Sequence, residues 1–395
     1  MEAEINSLAG EGFRLEMIMP ADAPREALLS KGSAWVRVVQ SLEGSNVTTL
    51  APQDLRDACK DGDRQDSPPS EGGVDAASAD GVVLSPQPTE IRVGEDQENH
   101  PALAKPRAPL LRKEGSFVVA SLPVLEVGDA SAKEVVHHNL DTLQTQVWIP
   151  GRAGMEYRDL IPGRLHGFLI ASHIRLTQGG EVPDYVHYHK LLFQMIYCRA
   201  GWVRVVYEDQ GEPFVMNAGD CVLQPPGIRH RVLESSAGAE VIELSSPAEH
   251  ETWVEHELTL PNAHGTADRR FAGQSFVRHV AAAAGWESHS TFESRNIGIA
   301  DATDRLADVC VMRVSKLTAL ESAKDHTCFI FILHGEVAVD GQPDVLTADD
   351  CAIVPAGKDP TTNLVALPGA EILKVTLSPE LAQALVTSVT TCREP

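Results

Sequence analysis

Two histidines one residue apart are the first chemically loaded feature of this chain. The segment Val186-His-Tyr-His-Lys places His187 and His189 at i and i+2, and on a strand that spacing projects both imidazoles from one face. Gln194 stands five residues beyond His189, across an expected turn, and offers a hard side-chain oxygen. His230 follows the turn Pro225-Pro-Gly. Three imidazoles and one oxygen suit a single divalent ion of Fe, Mn, Ni, Co or Zn and leave positions open for water or substrate. The expected metal ligands are therefore His187, His189, Gln194 and His230. Gln194 is also a candidate catalytic residue, with Arg229 beside His230 and Tyr197 on the following strand. Tyr188 and Lys190 alternate with the ligands and should face away. His250 and His256 lie beyond the last apolar run of this region and are expected on a solvated face.

Such a centre needs a rigid strand framework. The runs Gln194–Cys198, Trp202–Tyr207, Cys221–Gln224 and Val241–Leu244 are short, apolar and separated by turn residues. That pattern predicts an all-β sandwich or barrel. It repeats: Gly201-Trp-Val-Arg-Val-Val, Asn217-Ala-Gly-Asp-Cys-Val-Leu and Pro225-Pro-Gly return as Gly335-Glu-Val-Ala-Val, Thr347-Ala-Asp-Asp-Cys-Ala-Ile and Pro355-Ala-Gly. Two similar barrels are expected. Counting back from Gly335 sets Cys328 opposite Gln194, Ala323 opposite His189 and Glu321 opposite His187, while Pro360 falls opposite His230. The second barrel is thus expected to hold no metal and to close the first or form a homodimer face. A fainter echo, Gly32-Ser-Ala-Trp-Val-Arg-Val-Val, is expected to be a partial repeat or a strand pair added to one barrel. Ser378-Pro-Glu opens a final helix.

The chain has 395 residues and a formal net charge of −23. A surface this acidic repels phosphate backbones and anionic membranes, so nucleic acid and membrane are excluded as partners and a small molecule is expected instead. Residues 57–112, rich in Gly, Pro, Ser, Asp and Glu, are expected to be a disordered acidic linker. It separates a β-rich segment, 1–56, from a metal-binding barrel, 113–262, and a degenerate barrel with its C-terminal helix, 263–395. The N-terminal residues Met-Glu-Ala-Glu-Ile-Asn lack the basic and apolar regions of a secretory signal. The seven cysteines form no CxxC pair, and scattered reduced thiols point to a cytoplasmic setting.

The two histidine segments resemble the paired motifs of the cupin superfamily, G-x5-HxH-x3,4-E-x6-G and G-x5-PxG-x2-H-x3-N. Gly180 begins the first with one extra residue before His187, and six residues separate Gln194 from Gly201. Gly219, Pro225, Gly227 and His230 keep the spacing of the second. Gln194 stands where the family has Glu, and Glu234 where it has Asn. The close match spans about 65 residues and, as architecture, about 260. The resemblance implies two double-stranded β-helix (jelly-roll) barrels and a metal-dependent enzyme acting on a small oxygen-rich substrate, a sugar acid or dicarbonyl. Losing one carboxylate makes the centre more positive, which favours Lewis-acid isomerase or lyase chemistry. An Fe(II) dioxygenase and a non-catalytic small-molecule-binding cupin are the alternatives.

Overall fold

In the strand Phe193–Ala200, period-two alternation separates two tasks. Ile196 and Cys198 turn to one side, with Val203, Met216, Ile228 and Val241 as neighbours. Phe193, Met195 and Tyr197 turn to the other and pack with Ile242 and Leu244 against Phe329, Phe331, Ile353 and Leu373. The strand Ala239–Ser246 runs antiparallel beside it, from Phe193↔Ser246 to Ala200↔Glu240. Both faces of these strands are covered, which is why they read in sequence as nearly continuous apolar runs.

The computed structural model describes residues 1–21, 24–41, 44–50, 136–138, 147–161, 163–262, 269–339, 345–357 and 364–391. The expected linker, 57–112, lies outside the described residues, as does Pro360. The first barrel is built from two sheets. One runs Phe214–Asn217, Trp202–Tyr207, His230–Ser235, His187–Lys190, Glu251–Val254; the other runs Val277–His279, Cys221–Leu223, Phe193–Ala200, Ala239–Ser246, Ile170–Leu176, Glu156–Asp159, Ile149–Pro150. In the second barrel, Ala307–Val314, Glu371–Leu377, Thr327–His334 and Cys351–Val354 form the middle of one sheet, and Thr318–Ala319, Leu364–Ala366, Val337–Val339 and Val345–Leu346 form the other. The chain is therefore two jelly-roll barrels, followed by the helix Pro379–Thr391, whose Leu381 and Leu385 enter the core between them.

The internal repeat extends to the ladders. The partners Met195↔Leu223 and Tyr197↔Cys221 recur as Phe329↔Ile353 and Phe331↔Cys351. That register sets Cys328 in the place of Gln194, and Cys328 lies buried among Ile330, Val337 and Leu346. Glu321 and Ala323 are exposed. Two strands cross between the halves. Val277–His279 pairs with Cys221–Leu223 of the first barrel, and Val136–His138 pairs with Cys351–Val354 of the second. The sheets therefore do not part at residue 262.

Upstream, Arg14–Met19, Glu26–Lys31, Ala34–Ser41 and Gly44–Leu50 form an antiparallel meander. It extends the histidine-bearing sheet through Met17↔Trp253 and Ile18↔Thr252. The echo at Gly32 thus lies in a four-stranded meander added to the first barrel. A helix that no sequence signal announced, Glu2–Gly10, packs Ile5 and Leu8 against a small core of Ile18, Leu29 and Val38. Cys198, Cys221, Cys310, Cys328 and Cys351 are free thiols. No described helix is long and apolar enough to cross a membrane.

Candidate metal centre

The strand His187–Lys190 alternates buried and half-buried side chains, with both histidines inward. His187 is the direct cross-strand partner of His230, and His189 lies opposite Thr252. Sheet register thus brings His230 beside His187, 43 residues earlier in the chain. The potential ligand atoms of His187, His189 and His230 all lie within 4.8 Å of one another. Among the described residues, this is the one such group of His, Cys, Asp or Glu.

Each imidazole is fixed from behind. His187 Nδ1 is 2.8 Å from the Tyr185 carbonyl, His230 Nδ1 is 3.0 Å from the Ile228 carbonyl, and His189 Nδ1 is 2.8 Å from the Thr252 hydroxyl. A carbonyl only accepts, so Nδ1–H of His187 and His230 donates and the Nε2 lone pair remains for a ligand. Burial, followed by Arg152 and His230, holds His187 far below the ordinary imidazole value. Burial, His187 and His230 do the same to His189. Burial lowers His230 to about 4, against the opposing Ile228 hydrogen bond. Three neutral imidazoles, each held at Nδ1, fit a divalent metal ion.

Two donors address the lone pairs. Arg152 Nη2 lies 2.7 Å from His187 Nε2. Its guanidinium also pairs with the fully buried carboxylate of Asp184, whose second oxygen accepts from Val232 N at 3.0 Å. Burial opposes the charge on Arg152, but Asp184, Tyr157 and Tyr185 together outweigh it and raise the pKa. Arg152 sits in a tight loop, and a Cβ at Gly151 would fall 2.2 Å from the Tyr157 ring, so only glycine lets this loop lie against the barrel. The second donor is Gln224, whose Nε2 is 3.5 Å from His230 Nε2 and 3.0 Å from Gln194 Oε1. Tyr207 donates to Gln224 Oε1.

Gln194 is buried one link further out. Its oxygen accepts from Gln224, and its Nε2 donates to Glu243 Oε1 at 3.1 Å. Glu243 also accepts from Ser245 Oγ at 3.2 Å. The carboxylate missing at position 194 is therefore present on the adjacent strand. A cavity of about 80 Å3 opens beside the triad and is bordered by His189, His230, Arg152, Gln224, Glu243 and His250, among others. That is room for several waters or a small ligand.

The other expected residues are placed elsewhere. Tyr197 faces the core between the barrels, opposite Gln194 on its strand, and burial raises its phenol. Period-two geometry puts it on the wrong face for catalysis at the triad. Arg229 points outward: its guanidinium lies 4.4 Å from the Tyr188 ring and its Nε donates to Glu255 at 3.2 Å. Lys190 likewise pairs with Glu251 at 3.2 Å. His250 is not on a solvated face. It is buried with its ring centroid 5.3 Å from that of His189, because the chain turns back after Ser246 to pair Glu251–Val254 with the histidine strand. His256 binds the Leu15 carbonyl at 3.0 Å. Sequence reasoning missed Arg152, Gln224, Glu243 and Thr252. Glu243 alone carried a signal, a charge at an inward position of Val241-Ile-Glu-Leu.

A cupin-domain family model matches residues 172–244, the stretch that holds His187, His189, Gln194 and His230. No curated protein matches the chain significantly. Several solved structures resemble it. Oxalate decarboxylase from Bacillus subtilis is 13% identical over 57% of this chain and 72% of that one, with a TM-score of 0.42. The formate complex of Lactobacillus farciminis oxalate decarboxylase is 14% identical over 63% and 85%, with a TM-score of 0.41. Ylba from E. coli is 13% identical over 62% and 92%, with a TM-score of 0.42. At such distance none of their activities carries over.

Proposed function

The first barrel belongs to the cupin superfamily, and on that premise we propose that the chain is a mononuclear metal-dependent enzyme acting on a small carbonyl-bearing molecule without net oxidation. One observation carries this reading: the imidazoles of His187, His189 and His230 are each anchored at Nδ1 and converge beside a cavity. These three residues would hold the ion. A bound divalent ion would supply Lewis-acid polarisation of a substrate carbonyl or enediol. The protein's own groups then orient the substrate. Arg152 brings a positive charge to the rim, and the hydrogen-bonded pair Tyr207–Gln224 gives a polar wall beside His230. Gln194 acts as a brace in this reading, fixing Gln224 with its oxygen and Glu243 with its nitrogen.

An iron-dependent oxygenase is the competing chemistry, favoured by the engagement of Gln194 away from the imidazoles, which leaves a three-histidine set. Metal analysis of the anaerobically purified chain should give one divalent ion per molecule, lost in His187→Ala. An unchanged metal content in that variant would overturn the site. Oxygen consumption stoichiometric with product, across a panel of carbonyl substrates, would replace the non-oxidative reading with the oxygenase.

A further inference from the structure

The cavity is lined by two unlike sets of side chains. One is His189, His230, Arg152 and Glu243; the other is aliphatic side chains of the barrel interior such as Leu176, Val203, Met216 and Val241. Pro20 and Ala21, from the added N-terminal meander, complete its border. Resting on the metal reading above, we propose that the substrate is a small monoanion with an oxygen-rich, metal-chelating head and an apolar body, of the 2-oxo acid type, rather than a polyhydroxylated sugar acid.

Charge selects the head. With the three imidazoles neutral, Arg152 contributes +1 while Asp184 and Glu243 contribute −1 each, a sum of −1 around the site. A divalent ion turns this into +1, and one negative charge on the ligand restores neutrality in a poorly solvated interior. Arg152 Nε is buried and has no hydrogen-bond partner, so the guanidinium retains a donor for that head. The walls select the body. Sugar hydroxyls set against Leu176, Val203 and Met216 would lose water and find no partner there, whereas each added methylene gains contact.

The test is calorimetric titration of the metal-loaded full-length chain with pyruvate, 2-oxobutanoate, 2-oxopentanoate and 2-oxohexanoate, with glucuronate as comparator. Affinity should rise about fourfold per methylene until the cavity is full. All four acids should bind more tightly than glucuronate. In Arg152→Gln the acids should weaken at least tenfold, while the neutral ligand 2,3-pentanedione changes little; Arg152→Lys should recover part of the loss. Met216→Ala should shift the optimum to a longer acid. Glucuronate binding more tightly than 2-oxohexanoate, a flat chain-length series, or no binding at all would overturn the proposal. Metal content, measured on the same sample, separates this failure from failure of the metal site: a sample that holds its ion and prefers glucuronate refutes only the substrate class.

Discussion

At Gln194 both ends of the amide are committed, the oxygen to Gln224 and the nitrogen to Glu243. Writing the family's usual Glu back into this position would therefore set two carboxylates against each other at the 3.1 Å now spanned by a hydrogen bond. Two such groups cannot both ionise cheaply. Gln194→Glu should lower the stability of the metal-free chain by roughly 1–3 kcal/mol, and Gln194→Glu/Glu243→Gln should regain most of it. Thermal unfolding of the single and double variants decides this, and an undisturbed single variant would mean the contact does not exist. The Thr252 hydroxyl lies 2.8 Å behind His189 Nδ1. Thr252→Val keeps the shape and removes the hydroxyl, so metal affinity should fall roughly 10- to 100-fold with little loss of fold; competition with a chelator measures it. The triad was legible because i, i+2 spacing and a turn-anchored histidine are local patterns. Arg152 was not, since it reaches His187 across 35 residues through the sheet and nothing in its own segment marks it. Glu243 returns, one strand away, the negative charge that Gln194 removes.

Among the elements, the hairpins after the central strands make the repeat physical. Gly335 joins Thr327–His334 to Val337–Val339 at a φ of 79°, and a Cβ there would meet Ala370 Cα at 2.7 Å. Gly211 has a similar φ of 77° but open space where its Cβ would stand. Gly335→Ala should cost roughly 2–4 kcal/mol through clash and strain together. Gly211→Ala should cost only about 1 kcal/mol, the backbone strain alone. Equal unfolding midpoints in denaturant for the two variants would refute the assigned close approach. The turns at Gly201 and Gly335 were visible in sequence because each glycine precedes an Asp-Cys and a Pro-x-Gly that keep the same spacing from each other in both halves. The strand Val277–His279 and the helix Glu2–Gly10 were not visible. Three residues carry too little period to announce a strand, and the partner that orders them is supplied by tertiary contact.

Across the whole molecule, the barrels share one apolar core, and a polar cluster is fastened to it at the first barrel's edge. Arg158 donates to Asp349 O at 3.2 Å and Arg199 to Asp349 Oδ1 at 3.1 Å, so both tie the first barrel to the second. Arg158 also donates to His173 Nδ1 at 2.8 Å, and His173 Nε2 lies 3.0 Å from Glu240. Neutral His173 with its proton on Nε2 satisfies both partners. A second proton, on Nδ1, would face the Arg158 guanidinium. Burial first, with Arg158 adding and Glu240 opposing, lowers the His173 pKa below its ordinary 6.5. The unfolded chain therefore binds more protons than the folded one just below pH 6.5, so stability falls as pH drops through that range. Glu240 is also lowered, chiefly by His173, so its own contribution is lost only below its ordinary value of 4.5, outside this window. The buried metal-site histidines push in the same direction in metal-free protein, which makes the difference between two curves the useful quantity. His173→Gln keeps an acceptor for Arg158 and a donor for Glu240 but cannot titrate. Unfolding temperatures of metal-free wild type and His173→Gln, followed from pH 7 to pH 5, should therefore diverge, the variant losing less. Parallel curves would show that His173 does not carry the acid sensitivity of the joint between the barrels.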